Sequence, residues 1–238
     1  MKFNQAVVSH LCGDEFSNGF KAAFSGGNLC ADRLALVSAI VANKKVIHIG
    51  CADHVPLIKK KLKRSRWLHG RISNVASRLI GFDIDKEAVD YISGLGVDGV
   101  YTYDVIQEDI HESVLGENWD YILLGEVVEH IGDPVNFLSN IKDKYGPYAD
   151  FIIITAPNAF RWGNFFSALS NVEFINTDHR FWFTPFTLAK VACDASMSVD
   201  EFFVVRSFPT KNPVKAFFSR VFPLLNETIV MVAKLKNE

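Results

Sequence analysis

The sequence predicts an α/β fold built on a mostly parallel sheet covered on both faces. Three observations carry that expectation. Short apolar runs alternate with helix-like segments over most of the chain, the pattern of parallel strands joined by helical crossovers. Several runs end in glycine or an acid, where a strand feeds a turn at the carboxyl edge of the sheet. The 238 residues, 49% apolar and 22% charged, suit one domain whose core needs no disulfide or metal staple.

Residues 45–50 (KVIHIG) read as a buried strand closed by glycine. Residues 53–66 follow as a helix, with Val55, Leu57, Ile58 and Leu62 apolar, and Trp67-Leu68-His69-Gly70 reads as a loop. A second strand covers 78–83 (RLIGFD), and a helix over 86–93 stops at Gly94. Residues 98–104 and 120–124 (DYILL) are the third and fourth strands. Asp133 suits an N-cap and Pro134 a first helical position, so a helix runs from 134 to 144. The fifth strand is 151–155 (FIIIT), a helix covers 184–197, and late strands cover 199–206 and 228–234. Between strand five and the next helix, residues 158–183 carry eight aromatic side chains, among them Phe165, Phe166 and Trp182, and read as an inserted lid. The chain is expected to form a single domain, 1–238, with an N-terminal helical cover over 1–43 and the last helix and strands over 184–238.

Composition excludes several classes. A formal net charge of −2 and a pI of about 6.4 argue against a nucleic-acid coat. Cys12, Cys30, Cys51 and Cys193 form no C-x-x-C pair, which removes a zinc ribbon or thioredoxin motif and reads as reduced thiols. The N-terminus has no signal-like apolar stretch and no run approaches a membrane span, so the expected location is the cytoplasm.

Ligands of such sheets bind outside the carboxyl ends of the strands. After strand one, Gly50 permits a sharp turn and a close ligand, or simply a turn. Ala52 stands where a second glycine of G-x-G-x-x-G would be, which weakens a pyrophosphate site. After strand two, Asp83 can accept two ribose hydroxyls, while Asp85 is free to cap the next helix. Asp104-Val105 repeats the arrangement after strand three.

VIHIGCAD, GFDID, the Asp104 strand end and WDYILLGEVVEHIGDP together resemble class I S-adenosylmethionine-dependent methyltransferases. The nearest resemblance is to the group holding the ubiquinone-biosynthesis O-methyltransferases and many small-molecule and glycan methyltransferases, and it continues through ITAPN and DHRFWFTPFTLAKVACDASM. The resemblance implies a Rossmann-like doubly wound sheet of seven strands with the last antiparallel, and 44–157 as the cofactor-binding half. It places His48, Gly50 and Asp53 at the first strand end, beside the methionine part of the cofactor. Asp83 and Ile84 would serve the ribose, Asp104 and Val105 the adenine, and Gly125 and Glu126 would lie beneath the sulfonium.

Glu126, Glu129 and His130 are spaced i, i+3, i+4, which on a helical turn puts them on one face. In the ubiquinone enzymes and the small-RNA 2′-O-methyltransferases an equivalent Glu-x-x-Glu-His holds a metal, and the RNA enzymes add a further histidine, for which His179 is the candidate here. Such a site would take Mg²⁺ or Mn²⁺ and lower the pKa of an acceptor hydroxyl. The alternative is a packed Glu129 with His130 or His179 as general base. The acceptor expected is a hydroxyl on a small molecule, with a sugar or glycan precursor first and RNA behind it on charge grounds. A nicotinamide oxidoreductase on the same sheet and an inactive cofactor-binding scaffold are the rival readings.

Two charged features stand apart. Residues 59–66 (KKKLKRSR) carry six cations, read as a solvated helix face or an anion-binding patch. Residues 213–223 (PVKAFFSRVFP) read as a helix covering the sheet, with peripheral membrane contact as the other reading.

Overall fold

A computed structural model of the protein describes residues 1, 3, 5–24 and 32–235; Cys30 lies outside them. Seven strands form one sheet in the order β3-β2-β1-β4-β5-β7-β6. The elements run α1 (Gln5–Cys12), α2 (Arg33–Ile40), β1 (Lys45–Ile49), α3 (Val55–Leu62), α4 (Leu68–Ile72), β2 (Arg78–Asp83), α5 (Lys86–Ser93) and β3 (Val100–Thr102). They continue with β4 (Trp119–Gly125), α6 (Pro134–Tyr145), β5 (Ala149–Pro157), α7 (Trp162–Leu169), α8 (Pro185–Asp194), β6 (Ser198–Val205), α9 (Pro213–Val221) and β7 (Thr228–Lys234). β1 pairs in parallel with β2 and β4, β2 with β3, and β4 with β5, while β7 runs antiparallel to both β5 and β6. The expected α/β sheet with an antiparallel last strand is therefore the fold observed.

Both faces of the sheet are buried, and residues alternate between them with the strand period of two. Ile47, Ile49, Ile122, Leu124, Ile152 and Ile154 join one core cluster with Leu11 of α1, Leu138 of α6 and Leu188 of α8. Val46, Leu123 and Ile153 face the other way, onto Leu36 and Val37 of α2 and Leu68 and Ile72 of α4. Burying a side chain of this size stabilises by about 1.5–3 kcal/mol, so these helices are held mainly by their apolar faces.

Three expectations need correction. Helix α3 stops at Leu62, with Lys63 as its C-cap and Ser65 in left-handed backbone, so the long helix over 53–66 does not form. Residues 68–72 are not a loop but α4, because Leu68 and Ile72 pack under α2 and tertiary burial overrides the glycine. Helix α9 does not cover the sheet with its apolar side, since none of its residues is buried. The segment 158–183 contains α7 and folds back over the sheet edge.

Candidate active site

The strand order reverses beside β1, where β2 lies to one side and β4 to the other, the position at which open α/β sheets bind ligands. Gly50 follows β1 at φ +70, and a Cβ there would collide with the Val127 side chain, so the turn demands glycine both for backbone and for space. The turn is pinned to β2: Gly50 N donates to Phe82 O at 2.8 Å, and Ala52 N donates to Asp83 Oδ2 at 2.8 Å. Asp83 Oδ1 accepts from Asp85 N at 3.0 Å. Burial raises the Asp83 pKa above the ordinary carboxylate range, and the two backbone amides oppose that rise. Each oxygen keeps a lone pair beyond these bonds.

The neighbouring strand ends are also tied down. Asp104 Oδ1 accepts from Ile106 N and Gln107 N at 2.9 and 3.1 Å, closing the turn before Val105, which is buried. Asp53, just before α3, pairs with Lys61 of that helix, and His54 approaches Asp85 at 3.6 Å. Ile84 is 75% exposed at the rim.

Beneath this rim lies a buried histidine pair. His48 of β1 and His69 of α4 approach Nδ1 to Nδ1 at 3.1 Å with rings stacked at 5.3 Å. One ring donates and the other accepts, so at least the accepting ring is neutral. Burial pushes the His69 pKa down to about 4. His48 falls well below its ordinary value through burial, then through His69 and Arg33. His48 Nε2 is buried without a hydrogen-bond partner among the described residues and lies 3.1 Å from where a Cβ on Gly125 would be.

Glu126 follows β4 in left-handed backbone, φ 63, a conformation that costs on the order of 1–2 kcal/mol for a residue with a Cβ. Thr155 of β5 holds it there. Glu126 N donates to Thr155 O and Oγ1, both at 3.1 Å, and Thr155 Oγ1 donates to Glu126 Oε1 at 3.1 Å. Arg33, buried at the start of α2 behind its Asp32 cap, pairs with the same Glu126 oxygen at 3.1 Å. Its Nε is buried without a hydrogen-bond partner among the described residues.

This geometry corrects the expected helical face. Residues 128–130 form a single 3-10 turn and Glu126 precedes it in reversed backbone, so the i, i+3, i+4 spacing never lies on one α-helix. Glu126 turns to Arg33. Glu129, His130 and His179 come together instead, each offering a ligand atom within 4.8 Å of the others. The 158–183 insertion delivers His179: Arg180 N donates to Glu129 O at 2.8 Å, anchoring insertion to strand end. His130 Nδ1 lies 3.2 Å from Asp178 O; a carbonyl only accepts, so that nitrogen carries the proton and Nε2 presents its lone pair. His179 Nε2 is 3.9 Å from Glu129 Oε1, and the two imidazoles meet edge-on at 4.7 Å.

Glu129 is fully buried and neither carboxylate oxygen has a hydrogen-bond partner among the described residues. Burial, then the charge of Glu126, raises its pKa to about 9. Burial and then His130 lower that of His179. A carboxyl left bare beside two imidazole lone pairs is the donor set of a divalent ion. Outward from His179 the Trp182 ring lies 6.2 Å away, and it lines a groove of about 540 Å³ with Ala168, Val172 and Phe174.

Arg33 and His69 were not singled out from the sequence. Arg33 carried one signal, a charge at the head of the otherwise apolar helix RLALVSAI behind a capping aspartate. His69 carried none, because only α4 packing brings it to His48.

The methyltransferase domain family matches residues 23–197, more than half of the chain. Among solved structures, the small-RNA methyltransferase HEN1 superposes with a TM-score of 0.58 at 16% identity, covering 94% of this chain. The present chain spans 27% of that structure's length. A putative methyltransferase from Bacillus halodurans C-125 gives 0.53 at 13% identity, covering 86% of this chain and 99% of its own. Magnesium protoporphyrin IX methyltransferase from Synechocystis PCC 6803, solved with bound S-adenosylhomocysteine, gives 0.52 at 14%, covering 84% of this chain and 81% of its own. No curated protein matches in sequence. These likenesses establish the fold, and the family match leaves no support for a nicotinamide oxidoreductase. With its reversing strand order, glycine turn and carboxylate strand ends, this chain belongs to the methyltransferase domain family, the class I S-adenosylmethionine-dependent methyltransferases.

Proposed function

We propose that the protein O-methylates a hydroxyl flanked by a second oxygen, on a small molecule or a sugar or glycan precursor, with a divalent ion held by Glu129, His130 and His179. The single observation behind this reading is the bare Glu129 carboxyl, buried beside two imidazoles at the end of the central strand β4. A buried carboxyl without a partner costs about 1–3 kcal/mol, a cost that a bound cation removes.

The residues of the rim fit S-adenosylmethionine. Asp83 keeps lone pairs for ribose hydroxyls, and Asp104-Val105 shapes the adenine end. Arg33 Nε and His48 Nε2, buried without a hydrogen-bond partner among the described residues, complement the carboxylate and ammonium of a zwitterion. When bound, the cofactor supplies an electrophilic methyl on sulfur. A divalent ion, when bound, lowers the pKa of a coordinated hydroxyl.

The chain's own residues supply alignment. The Arg33–Glu126–Thr155 lock fixes the backbone after β4 in a strained turn, so the floor of the site does not move with the ligand. Asp178 keeps the His130 proton on Nδ1, leaving Nε2 free either to bind an ion or to accept the acceptor proton. Trp182 and the insertion cover the pocket and exclude water.

The test is methyl transfer to vicinal-diol sugars, catechols and oligoribonucleotide ends, with and without EDTA. Loss of turnover in EDTA and recovery with Mg²⁺ or Mn²⁺ supports the metal reading. Full turnover in EDTA, with rate falling as pH drops through the imidazole range, assigns His130 or His179 as a simple base instead.

A further inference from the structure

Two helices turn their apolar sides away from the protein. In α9, Val214, Phe217, Phe218, Val221 and Phe222 recur at i, i+3, i+4, i+7 and i+8, the spacing that forms one continuous stripe. All five are exposed, Phe217 by 62%. The polar side is what holds the helix. Ser219 Oγ accepts from Arg206 at 3.1 Å and donates to Asn226, Asn226 donates back to Ser219 O at 3.0 Å, and Lys215 pairs with Glu227 at 2.6 Å. A helix whose only neighbours are water and its own domain does the reverse.

Helix α7 repeats the arrangement. Trp162, Phe165, Phe166 and Leu169 lie at i, i+3, i+4 and i+7, and none is buried. Phe165 is 53% and Leu169 67% exposed, whereas Asn164 bonds inward to Ala159 O at 3.1 Å. Trp162 meets Phe222 edge-on at 6.3 Å, so the two stripes are continuous. Contiguous apolar surface of this kind marks an interaction site.

The charges around it select the occupant. Lys211 and Arg220 flank the α9 stripe and Arg161 opens the α7 stripe, with no acid in 207–223 or 159–172; Lys215 is paired with Glu227, and Glu173 lies just past α7. Arg66, the end of the six-cation tract over 59–66, lies over the Phe208 ring at 4.7 Å, so that tract ends against the same segment. Aromatic stripes interleaved with cations are what an anionic bilayer surface binds: rings enter the headgroup layer and cations meet lipid phosphates. A second copy apposed through this face would set cations against cations.

We propose that the α7 and α9 stripes dock the protein on an anionic lipid bilayer. Binding is peripheral, since no helix among the described residues is long and apolar enough to cross a membrane. The docked face adjoins the Trp182 groove, which α7 lines through Asn164, Ser167 and Ala168.

Flotation of the full chain with vesicles tests this independently of methyl transfer. Vesicles of phosphatidylcholine mixed with phosphatidylglycerol should carry the protein up, those of phosphatidylcholine alone should carry less, and Trp162 emission should shift to the blue. The double variant Phe165→Ser, Phe217→Ser should lower partitioning about tenfold or more, as loss of two buried rings requires, with S-adenosylhomocysteine affinity unchanged. Lys211→Glu with Arg220→Glu should remove the preference for anionic vesicles, and it alters no packed side chain. Failure to float with anionic vesicles overturns the proposal. So does a dimer in solution that Phe217→Ser converts to monomer, or retention on oligoribonucleotide by this face in place of vesicles.

Discussion

The two halves of the site are built on opposite plans. On the side proposed for the cofactor, the strand ends are fixed by short bonds: Ala52 to Asp83 and Glu126 to Thr155 across neighbouring strand ends, Ile106 to Asp104 within its own turn, and Arg33 of α2 to Glu126. On the other side, α7 and α9 bury none of their residues and display aromatic stripes. The cluster Glu129, His130 and His179 is the seam between them, two residues from the 3-10 turn after β4 and one from the insertion. The difference teaches where each task resides. Under the proposed reading, an invariant cofactor meets rigid strand ends, while the surface proposed to meet a bilayer is hung on the outside, where changes cost the fold little.

The largest effect should come from the seam. Glu129→Leu should lower turnover about a hundredfold or more, in the range of removing a charge-stabilising group. Calorimetry should find S-adenosylhomocysteine affinity kept, and the apo protein should be about 1–3 kcal/mol more stable because an unsatisfied carboxyl is gone. Retained turnover would dissolve the seam as a functional unit.

Next comes the floor of the cofactor side. The His69 pKa in the fold, about 4, lies below its ordinary value. Stability is then present above pH 6.5 and is lost as pH falls from 6.5 through 4, because the unfolded chain takes up the proton first. The loss should be on the order of 3 kcal/mol, read from denaturant titrations at stepped pH. His69→Phe should flatten that part of the profile. An unchanged profile would mean that the pair is not neutral in the fold.

Asp83→Ala should weaken cofactor affinity about tenfold or more, since charge-assisted bonds are worth roughly 1.5–3 kcal/mol each. It should also loosen the turn at Ala52, which loses its acceptor. Smallest of all, Phe217→Ser should shift folding stability by no more than about 0.5 kcal/mol. A large loss of melting temperature would show that α9 does carry the fold, and the contrast between the halves would fail.

Much of the cofactor side was legible because it rests on local signals. Apolar runs marked the strands, Gly50 marked the turn, Asp85 and Asp133 cap their helices as read, and acids sat at the strand ends. The other side was less so. Periodicity reveals a stripe at 214, 217, 218, 221 and 222 but not whether it faces core or solvent; that is settled by Ser219 and Lys215 finding Asn226 and Glu227. Helix α4 depended on burial of Leu68 and Ile72, which no window of sequence contains. The reversed backbone at Glu126, which separates it from Glu129, arises from Thr155 and Arg33, distant in the chain.

The amide of Arg180 bonded to the Glu129 carbonyl has a thermodynamic consequence. His179 belongs to the cluster only while the insertion lies down on the strand end. Any species that engages all three side chains therefore draws on the same equilibrium as closure of the insertion, and the two must favour each other by the same factor. An acceptor that props the insertion open would loosen the ion by the factor that the ion resists the acceptor. Selectivity for acceptor shape could then be measured without any methyl transfer, as a change in metal affinity.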